Sequence, residues 1–91
     1  MANAGKLAGI FKLFSVEARV RIIQALKKRG MCVTELMSQL GISQEATSQH
    51  LRILRDAGIV WFQKRGFHVY YSIDKQNTAY IHKSVSALFE S

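Results

Sequence analysis

Gln44, Ser48, Gln49 and Arg52 recur at intervals that put them on one side of any helix passing through them. Amide and hydroxyl groups near a helix N-terminus can hydrogen-bond base edges, and an arginine can pair with guanine or phosphate. Ser43 just before them and Thr47 among them complete the candidate contact set on this segment. A merely solvated face would use the same residue types, so the surroundings decide. A second cluster, Lys64-Arg65 with His68 close behind, carries two cations and no acid. Catalytic chemistry has no comparable support. The chain offers no glycine-rich phosphate loop, no usefully spaced carboxylate pair and no nucleophile with an evident base.

The elements that must hold these residues are legible in VTELMSQLGISQEATSQHLRILRDAGI. Thr34 suits the N-cap of a first helix whose apolar side is Leu36, Met37 and Leu40. Gly41 can take the left-handed conformation that ends it, Ile42 returns to the core, and Ser43 caps a second helix. That second helix, residues 44–57, turns Ala46, His50, Ile53, Leu54 and Ala57 inward, with Thr47 and Leu51 at the margin. Gln44, Glu45, Ser48, Gln49, Arg52, Arg55 and Asp56 face outward. Helix, glycine turn and capped helix make a helix-turn-helix.

Residues 59–73 read as a β-hairpin about Lys64-Arg65-Gly66. Phe67, Val69, Tyr71 and Ile73 alternate with His68, Tyr70 and Ser72, the period of a half-buried strand. The fold expected is mainly α with a β-hairpin wing, a winged helix-turn-helix. Its wing would lie along a DNA backbone or in the minor groove. Upstream, residues 4–14 form a helix with Leu7, Ile10, Phe11 and Phe14 on one stripe. Ser15 caps another helix running to about residue 28, with Ala18, Ile22, Ile23 and Leu26 buried and Gly30 ending it. Lys27, Lys28 and Arg29 suit that C-terminus rather than a separate phosphate site. A last helix, residues 78–89, lines up Ile81, Val85, Leu88 and Phe89.

ATSQHLRILRDAGIV, the basic hairpin ending in VYYSI, and the upstream LFSVEARVRIIQAL together resemble the ArsR/SmtB family of transcriptional repressors, over residues 11–73. The resemblance implies a homodimeric, operator-binding protein, often released from DNA by a ligand or a redox signal. It also implies that the terminal helices build the dimer interface, although their stripes could instead pack within one chain. Cys32 lies in MCVTEL, where thiol-binding relatives carry Cys-x-Cys. Thr34 takes the second position here, so an arsenic-type site is incomplete. Cys32 is then a small buried hydrophobe or, alternatively, a reactive redox thiol. Zinc-binding relatives use the last helix, but Asp74, His82 and Glu90 do not reproduce that ligand pattern. No metal or other cofactor is expected. His50 reads as a core residue, and His82 as a surface or interface one.

The whole chain bounds the answer. Ninety-one residues make a single domain spanning 1–91 whose modest core dimerisation would enlarge. Thirteen Lys and Arg against six Asp and Glu give a net charge of +7, favouring a polyanionic partner, here double-stranded DNA carrying a palindromic operator. A composition 48% hydrophobic without proline fits a folded, helix-rich domain. No apolar run reaches the roughly 20 residues of a membrane span, no signal peptide is evident, and one cysteine fits the cytoplasm. Two rival readings use the same scaffold: a protein-interaction module, and a redox sensor acting through Cys32.

Overall fold

A computed structural model describes residues 3–90 of the chain. The elements run α1 (Ala4–Leu13), α2 (Glu17–Leu26), β1 (Met31–Cys32), α3 (Val33–Leu40), α4 (Gln44–Asp56), β2 (Val60–Arg65), β3 (His68–Ile73) and α5 (Lys75–Ala87). The three strands form one antiparallel sheet in the order β1-β3-β2. This is the winged helix-turn-helix expected from the sequence. No helix of the described residues is long and apolar enough to cross a membrane.

The core is aliphatic. Ile22 and Leu26 of α2, Leu36 and Leu40 of α3, and Leu51 and Leu54 of α4 meet Met31, Ile59 and Val60 from the sheet side. Each fully buried side chain of this kind contributes about 1.5–3 kcal/mol. Gly41 ends α3 at φ +68, and its amide donates to the Met37 carbonyl at 2.8 Å. Ser43 then caps α4, its Oγ accepting from the Ala46 amide at 3.1 Å. Both follow from the sequence: only glycine takes the left-handed turn cheaply, and serine satisfies an orphan amide.

Several boundaries differ from the sequence reading. Cys32, not Thr34, is the N-cap of α3, because β1 holds the chain extended up to that residue by pairing Met31 with Tyr71 and Cys32 with Tyr70. Ser15 does not cap α2. Its hydroxyl donates back to the Lys12 carbonyl at 2.7 Å, and Val16 occupies the cap position. On α2 the buried line is Ile22, Ala25 and Leu26, with Ala18 and Ile23 half-buried. That helix stops at Leu26, before Gly30. Gly30 serves instead where β3 passes close, since a Cβ there would lie 2.8 Å from Ser72 Oγ and 3.2 Å from the Tyr71 carbonyl. The last helix begins earlier than Thr78, because Asp74 caps it by accepting from the Asn77 amide at 3.0 Å.

Two left-handed glycines separate backbone strain from crowding. Gly41→Ala should cost about 1–2 kcal/mol from conformation alone, since nothing lies within 4 Å of the added methyl. Gly58→Ala, at φ +76, should cost more, because the methyl would meet Asn77 Nδ2 at 2.6 Å. That amide donates to the Gly58 carbonyl at 2.7 Å and would have to move. Urea unfolding of the two variants measures the difference, and equal midpoints would contradict it.

Candidate nucleic-acid interface

The rotation of α4 about its own axis decides which of its residues can meet a partner. Thr47, Leu51 and Leu54 form the buried line. Ala46, His50, Ile53 and Ala57, expected at the centre of the inward face, are half-buried flanks. Thr47 is 0% exposed, and its Oγ1 donates to the Ser43 carbonyl at 2.8 Å. Thr47 is therefore not a contact residue, contrary to the expectation from sequence: a buried hydroxyl bonded to the backbone four residues back reads nothing outside. Ser43, Gln44, Ser48, Gln49 and Arg52 are all exposed. Among the described residues of this face, only Ser43 has a side-chain hydrogen bond to another described residue. Arg55, also exposed, lies with its guanidinium 5.2 Å from the centre of the Phe62 ring and 3.7 Å from Asp56. It links the end of α4 to the hairpin, a role the sequence reading did not assign.

The hairpin turns on two residues, Gly66 and Phe67, because Arg65 pairs with His68 across β2 and β3. Lys64 and Arg65 thus belong to a strand rather than to the loop. Gly66, at φ +60, takes the first loop position, where a type II′ turn favours glycine. Alternation along a strand then separates the cations. Lys64 shares its face with Phe62 and Val69, the face on which Arg55 lies. Arg65 shares the other with Gln63, Tyr70 and His68. Its Nη2 donates to Gln63 Oε1 at 3.3 Å and its guanidinium lies 5.6 Å from the Tyr70 ring centre. Phe67 was expected on a half-buried stripe. It is wholly exposed, because it sits in the turn, beyond the last cross-strand pair, where strand alternation no longer applies.

Of the remaining candidates, Cys32, Asp74 and His50 sit in local contacts of the fold. Cys32 is half-buried, with its amide donating to Glu35 Oε1 at 3.3 Å. Arg29 donates to the other oxygen of Glu35 at 2.6 Å, and this bond first, then the Cys32 amide, holds the carboxyl below its usual range. Asp74 is committed to its cap, while His82 and Glu90 are exposed on α5 and just past its end. Among the described residues no three His, Cys, Asp or Glu side chains converge as metal ligands do. His50 accepts at Nδ1 from Arg19 Nε at 3.4 Å. Burial first, and the Arg19 charge second, push its pKa down.

Residues 17–61, from the start of α2 into β2, match the family described as bacterial regulatory protein, arsR family. An uncharacterized HTH-type transcriptional regulator of Methanocaldococcus jannaschii, MJ1325, is 41% identical over 76 residues, covering 81% of this chain and 85% of that protein. The chain belongs to the arsR family. A second relative, the transcriptional repressor SmtB homolog of Synechocystis sp., is 30% identical over 84 residues, 92% of this chain. The match covers 64% of that protein, so the chain spans less than two thirds of this relative's own length. Among solved structures, HlyU from Vibrio cholerae superposes with a TM-score of 0.74 at 31% identity, with 100% of each chain covered. The two relatives are regulators by name, not enzymes.

Because arsR-family α4 here leans on α2 through a neutral imidazole, its seat should respond to pH. Unfolded histidine takes up a proton near pH 6.5, and folded His50 takes it up only at lower pH. Between those points the unfolded state binds more protons, so stability is full above about pH 6.5 and falls as pH drops through that window. Melting temperatures of the wild type and His50→Gln from about pH 5 to about pH 8 should keep a constant offset at the alkaline end, where the imidazole is neutral in both states. On the acid side the wild type should lose more, and parallel curves would exclude this role for His50.

Proposed function

We propose that this chain is a sequence-specific transcriptional repressor that binds double-stranded DNA as a homodimer. The observation that carries the reading is the pairing of two surfaces: the exposed polar face at the capped start of α4, where Gln44, Ser48 and Gln49 stand with Glu45 as the one acid, and the acid-free cationic hairpin beside it. Gln44, Ser48 and Gln49 are the groups for base edges in the major groove. Ser43, Arg52, Lys64, Arg65 and His68 are placed for sugar–phosphate contacts. The net charge of +7 and membership of the arsR family support the same partner. A hairpin that keeps its cations without an acid suits a polyanion better than an ordinary protein surface. The redox alternative through Cys32 gains no support, since that thiol is the chain's single cysteine and its backbone is tied into β1 and the start of α3.

The dimer rests on the terminal helices. Not one residue of α1 is buried within the chain, with Phe11 exposed and Leu7 and Ile10 half-covered. An isolated helix of ten residues is marginal in water and needs a partner surface. Phe14 and Ile81 already pack on the chain's own core, whereas Leu88 is 51% and Phe89 82% exposed. A second copy placed on Leu7, Ile10, Phe11, Val85, Leu88 and Phe89 covers what one chain leaves open. Two-fold symmetry then sets the two α4 helices in successive major grooves, about 34–36 Å apart, on a palindrome.

Replacing Gln44, Ser48 or Gln49 by alanine should cost roughly 1–3 kcal/mol on the operator and little on random DNA. Fluorescence anisotropy with both duplexes measures this, and equal losses on the two would sink the assignment. Leu88→Glu or Phe89→Glu should weaken self-association and operator binding together, leaving part of the non-specific binding. Sedimentation at micromolar concentration tests that coupling. A monomer that still bound its operator tightly would overturn it.

A further inference from the structure

Phe67 keeps its entire surface in water, 103% of the reference area, where the next most exposed large apolar side chain, Phe89, keeps 82%. Phe89 lies beside α5, on the surface assigned above to a second copy. Phe67 lies at the apex of the hairpin, on neither α1 nor α5. Single exposed apolar residues are common and need no explanation, but this one has a particular frame. The two-residue turn fixes its position, with Gly66 taking the left-handed conformation just before it. Behind it, Lys64 stands on one face of the hairpin and Arg65 on the other, and residues 60–73 contain no Asp or Glu. Arg65 lies against Gln63 and the Tyr70 ring on its own face. In profile the tip is an apolar apex with a cation on each flank.

The partner that fits this profile is a narrow slot with apolar walls and anionic rims on both sides. The minor groove of duplex DNA, about 6 Å wide and bordered by two phosphate backbones, has that form. We infer that Phe67 enters the minor groove beside the major groove occupied by α4 and acts as an apolar wedge against a base step. Lys64 and Arg65 then reach phosphates of opposite strands. The inference rests on the DNA-binding reading above and adds a mode of selectivity to it. Apolar wedges partly unstack a step and bend the duplex toward the major groove. Flexible pyrimidine–purine steps yield most easily. Selectivity thus extends to positions where no hydrogen bond reads a base.

The test uses the full chain and the duplex upstream of its own gene, with 2-aminopurine placed at pyrimidine–purine steps flanking the α4 site and a dye at each end. Wild-type protein should raise 2-aminopurine emission and shorten the end-to-end distance. Phe67→Ala, a change at a side chain with no packing to lose, should keep the urea midpoint and the salt slope. It should abolish the emission rise and the bend, and lose on the order of tenfold in affinity, the scale of one aromatic contact with a base. A Lys64→Ala, Arg65→Ala double variant should behave in the opposite way, lowering the salt slope by about one per cation while keeping the emission rise. If Phe67→Ala binds, bends and unstacks this DNA as the wild type does, the wedge is overturned and the DNA reading stands. If the wild type does not prefer this DNA to random sequence, the DNA reading fails and takes the wedge with it.

Discussion

The burial of Thr47, Leu51 and Leu54 along one line of α4 is the constraint on which the rest depends. All three are fully buried, and Thr47 satisfies its hydroxyl on the carbonyl of the capping residue. Turning the helix by even one residue would expose two leucines and drive polar groups inward. Each leucine is worth about 1.5–3 kcal/mol in that position. A polar contact to a base edge is worth no more than that. Contacts to a partner therefore cannot re-aim the helix, and the outward set is fixed before any partner arrives.

The wing inherits its aim from the same core. Gly58, in the left-handed region, turns the chain out of α4, and Ile59 and Val60 are buried immediately after it. The Asp74 amide donates to the Ile59 carbonyl at 2.9 Å, closing the root of the hairpin where α5 begins. An isolated two-stranded hairpin is marginally stable. Here β1 adds a short third strand, Arg55 lies over Phe62, and the Phe62 and Tyr71 rings meet 5.9 Å apart across the strands. The base of the wing is thus tied to the end of α4, while its tip is held by little except its own turn.

The terminal helices are built on a different economy. The only residue of α5 buried within the chain is Ser84, whose hydroxyl donates to the Tyr80 carbonyl at 3.0 Å. Nothing in α1 is buried at all. The molecule is long for its girth, 47 × 22 × 20 Å, and so exposes much surface relative to its core. These helices have the amphipathic pattern of core elements without a core of their own, which is why they are the surface proposed for a second copy.

The sequence by itself determined the order of the helices and the hairpin, though not the short strand β1, together with the glycine turn at Gly41, the cap at Ser43 and the cations of the hairpin. Each is a local signal, set by one residue's backbone preference or by a repeat within a few residues. Tertiary structure decided the rest. A period of about 100° places a buried stripe only to within a residue, so Thr47 passed from the margin to the centre once α2 and α3 were in place. Cys32 became a helix cap because β3, some forty residues away in sequence, holds β1 extended. Phe67 left the expected apolar stripe because strand alternation does not say where the turn falls; the cross-strand register does. Which residues can form an element is a short-range matter, but which of them reach water depends on neighbours distant in the chain.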